Sequence, residues 1–297
     1  MPKKAKSLYS ERDSPFFRLR SRKQLAELLF CSLEKLKALS KADDLYHSFT
    51  KVKKGGGLRT ISAPRTDLKA VQARIAELLQ RIAPPDFLFA PVGGRSYVDN
   101  AAHHIGARSF RLLDIEDFFP SCTANRVIWL FRTRLECSDD VAAILRGIVT
   151  QDGCLPQGSP CSPILAYLSY VDMWEEIEKL VRKHNCKLSV YADDITVSGN
   201  VVPEALIWEI KRTLFKYGHR HSRKKERSLI HRPAEVTGTI VLGERLALPN
   251  RQHKKLFELQ QRIKTPLTAS DRERLSRQLK GRNAQKRQIY NRPRRQG

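Results

Sequence analysis

No run of this 297-residue chain is apolar for long enough to cross a bilayer, and Met1-Pro2-Lys3-Lys4 leads into no signal-peptide core. Neither a membrane span nor a secretory leader is expected, and the protein is expected in the cytoplasm. None of the six cysteines (31, 122, 137, 154, 161, 186) belongs to a C-x-x-C pair. Scattered among apolar neighbours, they are expected as reduced, mostly buried thiols, not as disulfides or zinc ligands. No Gly-Lys-Ser/Thr follows the glycines at 55–57, which excludes a P-loop. No repeat of solenoid length is present either. Acids are the scarce charge, with 31 Asp and Glu against 55 Lys and Arg, a net +24. Such an excess favours a polyanionic partner. Without a membrane segment, nucleic acid is the better match, and a membrane surface held by the basic tail is the weaker reading.

The length suits one large domain or a few subdomains. Residues 1–15 read as a loose basic arm. Leucines at 25, 28, 29, 33, 36 and 39 predict one amphipathic helix capped near Ser21. Residues 49–61 read as two short strands around a glycine turn. A helix with Leu68, Val71, Ile75, Leu78, Leu79 and Ile82 on one face stops at Pro84-Pro85. Further helices are expected over 100–108, 123–135 and 139–149, the last two capped by Thr123 and Ser138. A tight turn at 155–160 leads into a long helix through Val181. A helix over 203–217, a basic stretch at 219–227 and a β-like run at 235–242 follow. The tail 251–297 starts helical and holds 15 Lys and Arg against 3 acids, half of the whole excess.

The chemistry concentrates in Val190-Tyr191-Ala192-Asp193-Asp194-Ile195, two adjacent carboxylates between β-formers. This predicts a hairpin with Asp193 and Asp194 at its turn. Neighbouring carboxylates repel, so a fold that gathers them usually brings a cation. A solvated turn is the bland alternative for a lone Asp-Asp pair. A further acid, Asp114, ends the apolar strand Leu112-Leu113-Asp114. Carboxylates converging from two strand ends are what two-metal phosphoryl transfer requires.

A strand ending in Asp114, the turn Leu155-Pro156-Gln157-Gly158-Ser159-Pro160, the Asp-Asp hairpin, a helix and a basic loop follow in that order. This set resembles the palm of reverse transcriptases from about residue 46 to 242. The resemblance implies an α+β right-hand fold with fingers (46–109) and a palm of antiparallel sheet on helices (110–248). Finger-associated helices would lie at 123–149, after an N-terminal arm and helix (1–45). A short basic helical thumb (249–297) would grip an RNA–DNA duplex. It also implies that Asp114, Asp193 and Asp194 are catalytic and hold two Mg²⁺, with the Ile115 carbonyl as a further ligand.

In the same family the ring at Phe119 lies under the sugar, which implies a preference for dNTPs. The alternative is that Phe118 and Phe119 are both core. Gln157, Gly158 and Tyr191 would line the nucleotide site, while Lys53, Lys54 and Arg59 would clamp its triphosphate. Lys225 aligns with the lysine of the family's Asn-x-x-Lys-Thr block. Ser222 stands there for Asn and Glu226 for Thr, which leaves a plain basic loop open.

Asn100-Ala101-Ala102-His103-His104 and Val236-Thr237-Gly238 are similar to two signatures of bacterial retron enzymes. That resemblance implies RNA contacts at Asn100, His104, Val236, Thr237 and Gly238, with Arg251, Lys254 and Lys255 added from the tail. His104 has the alternative of a buried, hydrogen-bonded histidine. It further implies a cognate structured noncoding RNA and priming from an internal 2′-OH. The product would be a branched RNA–DNA, and a separate effector protein would serve phage defence. A group II intron-like, diversity-generating or CRISPR-associated enzyme, or a non-catalytic RNA-binding protein, are the alternatives.

Overall fold

The computed structural model describes residues 7–52, 56–266 and 268–291. The chain begins with α1 (Arg22–Leu28) and α2 (Leu33–Leu39), the hairpin β1 (Tyr46–Val52) and β2 (Leu58–Pro64), and α3 (Thr66–Leu79). It continues with β3 (Leu88–Ala90), α4 (Tyr97–Ala102), β4 (Ser109–Asp114), α5 (Phe118–Ser121), α6 (Ala124–Trp129) and α7 (Asp139–Val149). Next come α8 (Ser162–Leu168), α9 (Val171–Lys183), β5 (Lys187–Tyr191), β6 (Asp194–Gly199) and α10 (Glu204–Lys216). The last elements are β7 (Arg227–Ile230), β8 (Ala234–Val236), β9 (Thr239–Leu242), β10 (Arg245–Ala247), α11 (Asn250–Lys264) and α12 (Ala269–Tyr290).

Five strands in the order β3-β5-β6-β4-β7 form the central sheet. Its pairings are antiparallel except β3 with β5, which run parallel, so the sheet is mixed where an antiparallel one was expected. Leu188, Val190, Ile195 and Val197 are buried in one large core with Trp174, Ile177, Leu206 and Ile210 of α9 and α10. Each such side chain contributes about 1.5–3 kcal/mol by leaving water. Phe110 of β4 joins a second core with α4, the sheet β10-β9-β8, α11 and α12. The β1–β2 hairpin stands apart as its own two-stranded sheet, with nearly every residue of β1 exposed. The helix α7 packs against α1, α2 and α3.

Several helices differ from the sequence expectation. The leucine-patterned helix is two, because Phe30 adopts a left-handed φ of 57° and Ser32 caps a new start at Lys35 N. Ser21 and Thr123 cap as expected. Ser138 precedes α7, but its hydroxyl donates to Asp140 and to the Arg20 carbonyl, so it caps no helical N–H. The helix expected over 100–108 starts earlier, at a capping box between Ser96 and Asp99, and ends before His103. The long helix after residue 160 breaks at Ser169-Tyr170. The run at 235–242 is a hairpin, turned by Thr237 (φ 46°) and Gly238 (φ 87°). No helix among the described residues is long and apolar enough to cross a membrane, and all six cysteines are free thiols.

Candidate active site

The β5–β6 hairpin is buried on both faces. Its apolar residues meet the helices, while Ser189, Thr196 and Ser198 turn to the opposite side and are also buried. Tyr191 pairs with Asp194, so the turn is the two residues Ala192-Asp193, with Ala192 at φ 57°. Next to it β4 ends at Asp114, the cross-strand partner of Asp194. The Asp193 carbonyl accepts from Ile115 N at 3.0 Å. In extended chain the N–H and C=O of one residue point the same way, so the Ile115 carbonyl also faces the hairpin turn. Three carboxylates thereby share one end of the sheet.

Asp114 is only 6% exposed, and its Oδ2 lies 2.7 Å from the Lys225 ammonium. Its carbonyl accepts from Ser222 N at 2.8 Å, which ties the basic loop to the strand end. Burial and the charges of Asp193 and Asp114 push the Asp194 carboxyl up to about 7. Asp193 is raised for the same reasons, burial first, with Lys225 and Arg59 opposing. The hydrogen bond to Asp114 raises Lys225. The cluster therefore holds more negative charge than the fold alone neutralises, and its donors are all oxygens, the set that Mg²⁺ prefers. As the side chains stand, no three His, Cys, Asp or Glu among the described residues converge on one metal position. Asp114 faces Lys225 instead.

Of the expected nucleotide residues, Lys225, Tyr191 and Arg59 lie beside the acids, while Gln157 and Gly158 lie against β2. Of the adjacent phenylalanines, Phe118 is buried and Phe119 is half-buried, with ring centroids 5.5 Å apart. They sit on α5, entered through Asp117 in a left-handed conformation (φ 42°). Tyr191 is half-buried beside the turn. Arg59 is exposed on β2 and near enough to Asp193 to lower its pKa. Lys53 and Lys54 lie outside the described residues. The Gln157 carbonyl accepts from Ser62 N at 2.8 Å, joining the turn to β2. Gly158 has φ 138°, and a Cβ there would stand 2.6 Å from the Ser62 carbonyl. The glycine is thus required by the close approach of the β1–β2 hairpin.

Two supporting networks escaped the sequence reading. Gln72 is fully buried, donating to Tyr46 OH and the Ile148 carbonyl at 2.8 Å and accepting from Ser159 Oγ at 2.7 Å. The signal was a polar residue four after Leu68 and three before Ile75, inside the apolar stripe. His219, also fully buried, shares a 2.8 Å hydrogen bond with Ser121 Oγ beneath α5. Burial pushes its pKa down to about 4, so the ring is neutral.

The retron-like signatures meet each other in space. Asn100 Nδ2 donates to Thr237 Oγ1 at 3.2 Å, and Thr237 Oγ1 donates to the Tyr97 carbonyl at 3.0 Å. His104 is fully buried between Ser189 Oγ and Ser198 Oγ, each 2.7 Å away, and burial holds its pKa well below the usual histidine value. Asn100, His104 and Val236, expected as RNA contacts, are instead buried, at most 1% exposed, which leaves their side chains no open surface for RNA. Asn100 ties α4 to the β8–β9 turn, and His104 ties it to the β5–β6 hairpin. Thr237 and Gly238 remain half-exposed, and Arg251, Lys254 and Lys255 are exposed on α11, with Arg251 paired to Glu235.

The sequence model of the family described as "Reverse transcriptase (RNA-dependent DNA polymerase)" matches residues 51–241. The Retron Ec86 reverse transcriptase of Escherichia coli is 30% identical over 233 residues, 72% of this chain and 69% of that protein. The Retron Mx65 reverse transcriptase of Myxococcus xanthus is 34% identical over 178 residues, 53% of this chain and 41% of that protein. The Retron Se72 reverse transcriptase of Salmonella heidelberg is 32% identical over 143 residues, 48% of this chain and 38% of that protein. The chain thus spans about two fifths of those last two relatives. In fold it is similar to a foamy viral protease-reverse transcriptase solved with ds DNA. That likeness has a TM-score of 0.51 at 17% identity and covers 82% of this chain and 36% of the viral one. The chain belongs to the reverse transcriptases, the RNA-dependent DNA polymerases, and among them to the bacterial retron type.

Proposed function

We propose that this RNA-directed DNA polymerase copies a cognate structured noncoding RNA from an internal 2′-OH, leaving single-stranded DNA joined 2′–5′ to RNA. The polymerase chemistry rests on the cross-strand pairing of Asp114 with Asp194, with Asp193 at the adjoining turn, while the priming rests on the likeness to retron enzymes at Asn100, His104 and Val236-Thr237-Gly238. Two Mg²⁺ held by Asp114, Asp193, Asp194 and the Ile115 carbonyl would activate the primer hydroxyl and neutralise the triphosphate. Arg59 offers a planar donor fork to the phosphates. Phe119 sits under the sugar, where a ring excludes a 2′-OH and selects dNTPs. Gln157, Gly158 and Tyr191 border the base, and Lys225 meets the pyrophosphate as it leaves. Thr237, Gly238, Arg251, Lys254 and Lys255 contact the RNA. The division into an N-terminal region (1–45), fingers (46–109), palm (110–248) and thumb (249–297) belongs to the same reading, as does a separate effector in phage defence.

The test is the nucleic acid that copurifies from the native host. It is treated with RNase, then with a 2′–5′ debranching enzyme, and the DNA is followed on a denaturing gel. A discrete band that shifts on debranching is the expected result. DNA without a branch would remove the priming mechanism while leaving the polymerase.

A further inference from the structure

The strand β7 forms one edge of the catalytic sheet. It pairs with β4 on one side and, among the described residues, with no strand on the other. The phase of that pairing follows from His231, whose N–H donates to the Arg108 carbonyl at 2.8 Å. Bonded pairs alternate with non-bonded ones in an antiparallel ladder, so Leu229 and Arg227 also bond to β4. Ser228 and Ile230 therefore point their N–H and C=O groups outward, away from the sheet. With four residues, the edge is too short to recruit strands indiscriminately, and the side chains beside it decide what binds.

Those side chains come from α10. Glu204 pairs with Arg111, which stands opposite Ser228, and Lys211 Nζ lies 2.7 Å from Glu226 Oε1, just before β7. Both ion pairs turn one flank of α10 toward β7. Trp208 lies between them at helical spacing, and Phe215 lies one turn beyond Lys211. Trp208 is 60% exposed, Phe215 70% and Ile230 61%. Ile230 shares a sheet face with Ser228, and hence with Arg111 and α10. The surroundings are basic: Arg212 lies over the Trp208 ring at 4.9 Å, and Arg223, Lys224 and Arg227 are exposed. The nearby acids Glu204 and Glu226 are already in ion pairs.

We propose that β7 and this flank of α10 form a docking site for an extended, acidic segment of a partner protein. The segment adds as a sixth strand to the catalytic sheet and seats alternate apolar side chains against Ile230 and Trp208. The outward backbone groups specify an extended peptide, and the basic rim specifies its charge. A second copy of this chain is disfavoured because it would bring the same positive rim against itself.

The full chain is titrated into a fluorophore-labelled peptide that alternates Glu with Val, read by anisotropy, by Trp208 emission and by amide exchange. The expected result is binding, with slowed exchange at Ser228 and Ile230. Ile230→Pro removes an outward N–H and no bond to β4, so it should weaken binding more than about tenfold while DNA synthesis on a generic RNA template is kept. Ile230→Glu, which leaves the backbone intact, should weaken it similarly by repulsion. Absence of peptide binding, or binding by both variants as tight as by the wild type, would overturn the proposal. So would displacement of the peptide by single-stranded RNA with no effect of either variant, which would make the face a nucleic-acid surface. A dimer of the chain alone that Ile230→Pro dissolves would assign the edge to a second copy.

Discussion

Asp194 carries a carboxyl pushed up to about 7, against 3.8 for a free aspartate. Between those values the folded chain holds a proton that the unfolded chain has lost, so stability falls as pH rises through this window. Asp193 is shifted in the same direction. In chelator, the melting temperature of the wild type should therefore drop more steeply from pH 4 to about 7 than that of Asp194→Asn. Parallel slopes would contradict the crowding of the acids. A second residue prediction concerns His104. His104→Ala leaves a cavity and two orphaned buried hydroxyls, a cost of about 2–4 kcal/mol in urea unfolding. RNA affinity of the folded fraction should stay unchanged. Lost affinity at unchanged stability would restore His104 as an RNA contact. At this scale the acids were legible because metal chemistry dictates their type. Gln72 and His219 were not, since the role of a buried polar residue is set by partners remote in sequence.

The elements were legible where hydrophobic period alone decides, as in α3, α10 and the β5–β6 hairpin. The breaks were set by tertiary contacts that period does not carry. Tyr170 interrupts the helix between α8 and α9, and its hydroxyl accepts from Thr123 N and donates to the Ser121 carbonyl beneath the Phe119 segment. The start of α4 was missed, expected at 100 although Ser96 and Asp99 have capping-box spacing. The joint between the β1–β2 hairpin and the Pro-Gln-Gly turn yields a prediction of its own. Gly158→Ala would drive a Cβ to within 2.6 Å of the Ser62 carbonyl, a backbone atom that cannot swing aside. The hairpin must shift, taking Arg59 with it, at a cost of about 1–3 kcal/mol. The KM for dNTP should rise more than kcat falls, read by steady-state incorporation. An unchanged KM would separate this joint from nucleotide binding.

Across the whole molecule, charge and sheet architecture divide the labour. The net +24 was plain in composition, and half of it lies in residues 251–297, where α11 and α12 expose nearly all their length. The double change Lys254→Gln and Lys255→Gln should weaken binding to an RNA–DNA duplex and lower its salt slope by about 1–2 units, near 0.9 per lost phosphate contact. An unchanged slope would move the grip elsewhere. The acids, by contrast, are proposed to serve the reaction and not the grip. The central claim is tested most directly by labelled dNTP incorporation on an RNA template with Mg²⁺, comparing wild type with Asp193→Asn. Extension should fall by more than about a hundredfold, beyond the loss typical of an outer-shell metal partner, while RNA affinity stays the same. Extension by Asp193→Asn at the wild-type rate would contradict the account.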